Sequence, residues 1–225
     1  MKILIINPNS DLEMTKAIQK TAKDFAKDEY EVVCKSNLDA TKFIETYEDE
    51  VKTAPGMIRL VKENEEKFDA FIIACHCDPN IEAMKEITKK PVVGIGEASM
   101  KIASMLGHKF SVVTTTEHSI PNKEAVIRKY HLEGAMASVR TPEENVRKLS
   151  AEEKYLNAAK LAIEEDMAEV IVLGCAGMTG LDKKLQKQLG VPVLDGVICA
   201  LIISTGLVKY GVSTSKIRRY NPDLE

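Results

Sequence analysis

Two cysteines occupy matching places in two similar stretches of the chain. Asp69–Cys75 and Glu169–Cys175 each run from a charged residue through apolar residues to a cysteine, and the two cysteines are 100 positions apart. A continuous apolar run that ends at glycine or a polar turn is typical of a strand buried on both faces of a parallel sheet. Because ligands of open α/β sheets bind at the carboxyl ends of the strands, both thiols are predicted to lie at a binding edge.

Two thiols that face one ligand from opposite sides can invert a stereocentre. Holding one thiolate at pH 7 costs about 2 kcal/mol, because the pKa of free cysteine is about 8.5. A partly buried helix N-terminus can supply about that much. A second thiolate about 7 Å away costs roughly 2.4 kcal/mol more at a dielectric of about 20, so the pair is expected as one thiolate and one thiol. Such a base and acid need no metal or organic cofactor.

The carbanion formed between the two sulfurs needs hydrogen-bond donors. Polar residues that follow predicted strands, and backbone N–H groups after the second cysteine, are the candidates. They are Asn7, Ser10, Thr114, Thr115 and the segment Ala176–Gly177.

The similarity between the two stretches extends along the chain. Lys2–Ser10 resembles Lys109–Glu117, and an apolar stretch opened by Pro91 or Pro192 follows each cysteine after 16 or 17 positions. We interpret this as one unit used twice, although any α/β chain repeats apolar strands at such intervals. The prediction is an α/β fold of two lobes, each a mainly parallel sheet flanked by helices, with the site between them. The first lobe is placed at 1–95 and the second at 96–207, with the tail at 208–225 returning to the first.

Helix signals divide the remaining sequence. Ser10–Glu13 and Ser150–Glu153 have capping-box spacing, and Pro55 suits the first turn of a helix. The acidic segment 36–54 is predicted to be a long loop or an irregular helix, which is either a solvated connection or a lid over the site. Residues 197–208 are apolar almost all round, which predicts a helix wedged between lobes or at a subunit interface of a homo-oligomer.

Composition excludes several classes of protein. The 225 residues carry a formal charge of −3, and the basic residues are dispersed, which argues against nucleic-acid binding. No apolar run has membrane length, and the N-terminus opens directly into a strand. We therefore expect a cytoplasmic protein that acts on a small molecule, and its five cysteines are not expected to form structural disulfides.

Taken together, six stretches resemble the aspartate/glutamate racemase superfamily, and most closely its hydantoin racemase branch, which includes allantoin racemases. The stretches are Ile6–Ser10, Ala74–Cys75 with Asp78–Pro79, Gly94–Ala98, Val112–Thr115, Leu173–Met178 and Pro192–Gly196. The resemblance implies two lobes related by pseudo-twofold symmetry and a cofactor-independent two-base mechanism. It also implies that Cys75 and Cys175 are the bases, and that Asn7 onward and Thr114–Thr115 line the substrate pocket.

The chain departs from the superfamily pattern beside both cysteines. Amino-acid racemases of the superfamily carry Cys-Asn-Thr and Cys-Thr-His, where this chain has Cys75–Cys77 and Cys175–Gly177, which argues against glutamate or aspartate as substrate. Hydantoin racemases often carry an aromatic residue and a glycine after the first cysteine. His76 and Cys77 stand at those positions here. His76 is therefore a candidate substrate-binding residue, and the usual apolar 5-substituent is open to question.

Other functions are weighed against this one. The Cys75–Asp78 segment could suggest zinc, but Cys-x-Cys is shorter than the usual ligand gap and no second ligand pair follows. A role of Cys77 as a resolving thiol has no further support. His118 follows the threonine run and could reach the cleft, and Glu97 is either a helix-start carboxylate or a site residue. An amino-acid racemase or a maleate-type cis–trans isomerase could use the same scaffold. An arylmalonate-type decarboxylase keeps only the second cysteine, and a two-lobed binding protein needs neither.

Overall fold

The computed structural model describes residues 1–142 and 149–221. Its first half contains four strands and four α-helices in strict alternation. These are β1 (Lys2–Asn7), α1 (Leu12–Ala26), β2 (Glu31–Ser36), α2 (Tyr47–Asn64), β3 (Ala70–Ile73), α3 (Ile81–Ile87), β4 (Val92–Gly94) and α4 (Ile95–Leu106). The four strands form one parallel sheet in the order β2-β1-β3-β4.

The second half repeats this arrangement. Its elements are β5 (Phe110–Val113), α5 (Ile120–Lys129), β6 (Met136–Arg140), α6 (Ala151–Glu164), β7 (Val170–Leu173), α7 (Asp182–Leu189), β8 (Val193–Leu194) and α8 (Gly196–Tyr210). Short 3₁₀ turns lie at Glu117–Ser119, Glu133–Ala135 and Ala176–Met178. The parallel strand order β6-β5-β7-β8 matches that of the first sheet, so the predicted α/β fold class is confirmed.

The central strands are buried on both faces, as their continuous apolar runs predict. Every residue of β3, β5 and β7 is buried, because helices cover each sheet on both sides. Side chains that line a ligand cavity are therefore expected beyond the ends of such strands. Both cysteines follow strands of this kind.

The last helix of each half packs across the boundary between the halves. Val197 and Leu201 of α8 belong to the apolar cluster around Ile3 and Ile5 of the first sheet. Met100 of α4 belongs to the cluster beneath the second sheet. The two helices also contact one another. The predicted division of the chain after residue 95 stays a prediction, since these helices join the two sheets.

Two helix starts differ from the prediction. The expected start of α2 at Pro55 is wrong. The Thr46 hydroxyl accepts the Asp49 N–H, and the Asp49 carboxylate accepts the Thr46 N–H, which completes a capping box. The helix therefore starts at Tyr47 and contains Pro55. The N-cap of α1 is Asp11 rather than Ser10. In α1 the Asp11 side chain accepts the Glu13 and Met14 N–H groups, and aspartate caps a helix as well as serine does. In α2, Asp49 stands where a capping box usually has glutamate or glutamine.

The predicted helix at 197–208 and the capping box at Ser150 are confirmed. In the C-terminal segment, the Lys216 ammonium donates to the carbonyl oxygens of Lys85 and Glu86 at the end of α3. Within residues 1–142 and 149–221, none of the helices has both the length and the apolar character needed to cross a membrane.

Candidate active site

Cys75 and Cys175 line one cavity of about 120 Å³ between the two sheets. Each cysteine is the second residue beyond its strand, β3 or β7, and each is half-buried. The wall also contains apolar side chains and several polar ones. The apolar ones are Met14, Phe43, Ile44, Ala74 and Ala176, and the polar ones are Asn9, Glu45, His76, Cys77, Thr114, Ser119, Asn122 and Lys123.

A buried ammonium lies beside the first cysteine loop, which we define as Cys75–Asn80. The Nζ atom of Lys123 donates to the Cys77 Sγ at 3.2 Å, and the Asn122 amide donates to the same sulfur at 3.6 Å. Lys123 is only 5% exposed. A hydrogen bond from Cys75 and the nearby ammonium lower the pKa of Cys77 to about 6, despite its burial. Interaction with Cys77, together with burial, raises the pKa of the Cys75 thiol.

The expected helix N-terminus at Cys75 is wrong. Helix α3 begins only at Ile81, six residues further along, and its N-cap Asn80 makes no side-chain capping bond. Cys175 is followed by the single 3₁₀ turn Ala176–Met178, and its Sγ accepts the Gly177 N–H at 3.4 Å. Much of the positive potential in the cavity therefore comes from a lysine side chain rather than from a helix dipole.

His76 lines the cavity and is 1% exposed. Its Nε2 lies 3.2 Å from the Ser99 hydroxyl, and its Nδ1 is buried without a hydrogen-bond partner among the described residues. Burial, with the charge of Lys123 adding to it, lowers the pKa of His76 well below its usual value. The imidazole is therefore neutral at pH 7 and carries no charge to the site.

A buried carboxylate anchors each cysteine loop. Asp78 accepts the Gly96 and Glu97 N–H groups at 3.0 and 2.6 Å and the Tyr130 hydroxyl at 2.8 Å. Burial raises the pKa of Asp78 to about 6.

The second loop, Cys175–Gly180, is held by Asp195. This residue accepts the Thr179 hydroxyl at 2.7 Å, the Gly180 N–H at 2.9 Å and the Val197 N–H at 2.8 Å. Both carboxylates thus connect a loop to the start of a helix, α4 or α8.

The predicted substrate-binding residues divide into two groups. His76, Thr114 and Ala176 line the cavity, with the Thr114 hydroxyl 2.8 Å from that of Ser119. The structure does not bring the other four to the cavity wall: Asn7, Ser10, Thr115 and Gly177. Asn7 is fully buried and donates to Asn9 and Thr15, so it shapes the turn that carries Asn9.

Other residues weighed from the sequence lie in different surroundings. Glu97 forms ion pairs with Lys85 and Lys101, and His118 is exposed away from the cavity wall. Phe43 and Ile44 show that part of the segment 36–54 borders the site, while its role as a lid stays a prediction. In the described part of the chain, no cluster of three or more His, Cys, Asp or Glu residues could hold a metal ion.

Several known proteins resemble this chain in sequence and in fold. The family model described as Asp/Glu/Hydantoin racemase matches residues 3–202. A hydantoin racemase of Pseudomonas sp. (strain NS671) is 41% identical over 98% of this chain and 91% of its own. Solved structures of allantoin racemases from Pseudomonas fluorescens and Klebsiella pneumoniae superimpose with a TM-score of 0.93 each, at 36% and 32% identity. They cover 100% of this chain and 98% and 95% of their own.

The chain belongs to the Asp/Glu/hydantoin racemase family. It is therefore an enzyme, an isomerase of the racemase class that acts on a small molecule.

Proposed function

We propose that this enzyme is a cofactor-independent racemase of a 5-substituted hydantoin, with Cys75 and Cys175 as its two bases. The observation that carries the proposal is their common cavity: two sulfurs, each just beyond a matching strand of the two sheets, line the same small space. The curated relatives named hydantoin racemases, at 34–41% identity, support the substrate class.

The reaction follows from the acidity of the ring carbon. In a hydantoin, the anion left at C5 delocalises into the adjacent carbonyl group, so a thiolate can remove the C5 proton. The thiol on the opposite face then returns a proton, and the configuration inverts. The reverse reaction uses the same two groups in the opposite protonation states. Polar groups on the wall, among them Asn9, Thr114 and Ser119, are available to stabilise the developing oxyanion.

Allantoin is a second candidate substrate. It is itself a hydantoin, with a polar ureido group at C5, and the two structures with TM-scores of 0.93 are named allantoin racemases. The polar side chains of Asn9 and Asn122 in the cavity wall favour a substituent that makes hydrogen bonds. The apolar Phe43 and Ile44 could instead cover an alkyl or aryl group, so only a direct comparison decides.

The test is a screen of single enantiomers in deuterium oxide. Allantoin, alkyl and aryl hydantoins, free aspartate and glutamate, and maleate are each incubated with the enzyme. Optical rotation and deuterium at the carbon atom are followed against an enzyme-free blank. We expect inversion with deuterium incorporation for at least one hydantoin, and we expect the inversion to be lost in both Cys75→Ser and Cys175→Ser. Cys34→Ser is the matched control, because Cys34 lies outside the cavity.

Two outcomes would overturn the proposal. Turnover of aspartate, glutamate or maleate without turnover of any hydantoin would assign the scaffold to the other chemistry. Hydantoin racemisation that survives in both cysteine variants would remove the two-base mechanism.

Assembly and location stay predictions. We expect a cytoplasmic homo-oligomer. Association is expected because apolar residues of α4 and α8, such as Leu106 and Ile202, are 54% and 47% exposed. Light scattering on the purified enzyme measures the assembly, and a monomer at working concentration would contradict it.

A further inference from the structure

The third cysteine of the site is not used by the two-base mechanism. Cys77 lines the same cavity as Cys75 and Cys175, and two residues of α5 hold its sulfur. Lys123 is the more informative of the two, because an ammonium that is 95% buried needs an anion nearby.

The anion that Lys123 meets is a sulfur. Among the residues the structure describes, Lys123 forms no ion pair with a carboxylate, and its hydrogen bond goes to the Cys77 Sγ at 3.2 Å. Burial alone would lower the pKa of Lys123, yet its interactions with the sulfurs of the site, above all with Cys77, raise that pKa above its usual value. The lysine therefore stays protonated and supports about one negative charge among three sulfurs.

Resting on the racemase function proposed above, we propose that Cys77 and Lys123 form a buried thiolate–ammonium pair that stores the negative charge of the site and passes it to Cys75. Cys75 remains the group that touches substrate, and Cys77 acts through it. Lys123 and Cys77 are thus positioning residues for the proton transfer.

The relay moves one proton from the Cys75 sulfur to the Cys77 sulfur. At rest, Cys75 is a thiol and Cys77 a thiolate. The Cys75 S–H bond breaks, its electron pair stays on the Cys75 sulfur, and the proton forms an S–H bond at Cys77. The Cys75 thiolate then takes the substrate proton, and Cys175 gives its own proton to the opposite face. Cys175 is left as the thiolate, and reaction of the other enantiomer or exchange with water restores the resting state.

Several titratable groups surround Cys77. Cys75 and His76 lie on its own loop, Lys123 comes from α5, and Glu50 comes from α2, where its Oε1 accepts the Asn122 amide at 3.1 Å. The charge of Lys123 lowers the pKa of Cys77, and the charge of Glu50 raises it. The neutral His76 adds no charge. Lys123 is consequently the only positive side chain among these four neighbours.

The first experiment counts thiolates without any substrate. Ultraviolet absorbance of the purified enzyme is followed from about pH 5 to pH 9, and the rate of alkylation of each cysteine is read by peptide mass spectrometry. We expect one thiolate to appear near pH 6 and to be carried by Cys77. Lys123→Met should raise that transition by about 1 to 3 pH units. Lys16→Met removes an exposed lysine of α1 and should leave it unchanged.

The location of the charge is tested by Cys77→Ser. The transition near pH 6 should disappear, because serine does not ionise in this range. If the transition persists at full amplitude in Cys77→Ser, the thiolate belongs to another cysteine and the proposal fails. Circular dichroism confirms that each variant is folded, and either variant alone is enough for the test.

The second experiment separates a role in proton transfer from a role in folding. Enantiomers have equal free energies, so kcat/KM is the same in both directions and the informative quantity is its pH profile. With a hydantoin that the enzyme racemises, Lys123→Met should move the acid limb up by about 1 to 3 pH units, with activity recovered at high pH. Lys123→Arg, which keeps the charge, should recover most of the neutral-pH rate.

The two experiments fail separately. An unchanged pH profile in Lys123→Met, in an enzyme that still racemises hydantoins, overturns the relay. Absence of any hydantoin turnover, with the Cys77 thiolate present, leaves the buried pair in place and refutes the substrate class instead.

Discussion

The two cysteine loops hold their sulfurs in similar places by different means. The first loop, Cys75–Asn80, is polar and tightly held: Asp78 and Asn80 adopt positive φ values of 47° and 55°, and the Asn80 amide donates to α2. The second loop, Cys175–Gly180, consists of small or apolar residues and threonine, and its positive φ falls on Gly180. The thiol positions match, while their electrostatic surroundings do not.

The carboxylates that anchor the two loops come from different positions in the two halves. Asp78 belongs to the first loop, whereas Asp195 belongs to the start of α8. A Cβ atom built on Gly94, the position that matches Asp195, would lie 2.2 Å from the Asp78 carboxyl carbon. The Asp78 carboxylate therefore fills the space that a side chain at position 94 would occupy. Each half keeps a carboxylate between loop and helix, but takes it from a different residue.

The largest expected effect falls on the sulfurs themselves. Cys75→Ser and Cys175→Ser should each lower kcat/KM by about 10² to 10⁴, the range typical of losing a positioned acid or base. Each variant keeps one base, so each should still exchange the proton of one enantiomer with solvent deuterium without inversion. Loss of exchange for both enantiomers in one variant, with full exchange in the other, would show that the loops do not share the work.

Asp78 distinguishes the first anchor by its response to pH. Its folded pKa of about 6 lies above the usual value of 3.8, so its contribution to stability is fully present below about pH 4 and is lost as pH rises through 6. The change is about 3 kcal/mol at most. Asp78→Asn should remove this part of the pH dependence in urea unfolding measured between these limits. Parallel curves for the two proteins would contradict the assignment.

Glycine substitutions compare the space around the loops. A Cβ atom at Gly96 would lie 2.5 Å from the His76 carbonyl oxygen, whereas one at Gly177 would meet only the Met14 Cε at 3.5 Å and the Cys175 Sγ at 3.6 Å. Gly96→Ala should therefore cost about 2 kcal/mol of unfolding free energy. Gly177→Ala is the matched control and should fold with nearly unchanged stability. Equal losses in thermal unfolding would mean that the first loop is not the more tightly packed one.

The smallest effect should be the same in both halves. Helices α2 and α6 occupy matching positions, and each begins with a capping box, at Thr46 and Ser150 respectively. Thr46→Ala and Ser150→Ala should each cost about 1 kcal/mol in chemical denaturation. A difference between them well above 1 kcal/mol would indicate that one cap has a tertiary role as well.

The strand pattern was predictable because it is local. Continuous apolar runs before Cys75 and Cys175 identify buried strands, and buried parallel strands present their next residues at a common edge. The direction of a side chain beyond the strand end is harder to predict from the sequence. Thr114 is buried in the wall while Thr115 is exposed, since successive side chains of extended backbone point to opposite sides.

Lys123 could not be identified from the sequence. It lies in a stretch of polar residues in α5 that is typical of a solvated helix face, and its partner Cys77 is 46 positions away. Only the packing of α5 against the first loop buries the ammonium. The available signal was Cys77, which stands two residues after Cys75 at a position where hydantoin racemases often carry a glycine.

Helices α4 and α8 each pack against the sheet of the other half. Helix α8 completes the apolar interior beneath the first sheet, and α4 does so for the second. Cutting the chain between α4 and β5 would therefore leave each sheet without one of its covering helices. Neither fragment should be an autonomous folding unit. The same packing of α4 and α8 limits how far the two sheets can separate, so we do not expect the enzyme to open by a wide hinge motion.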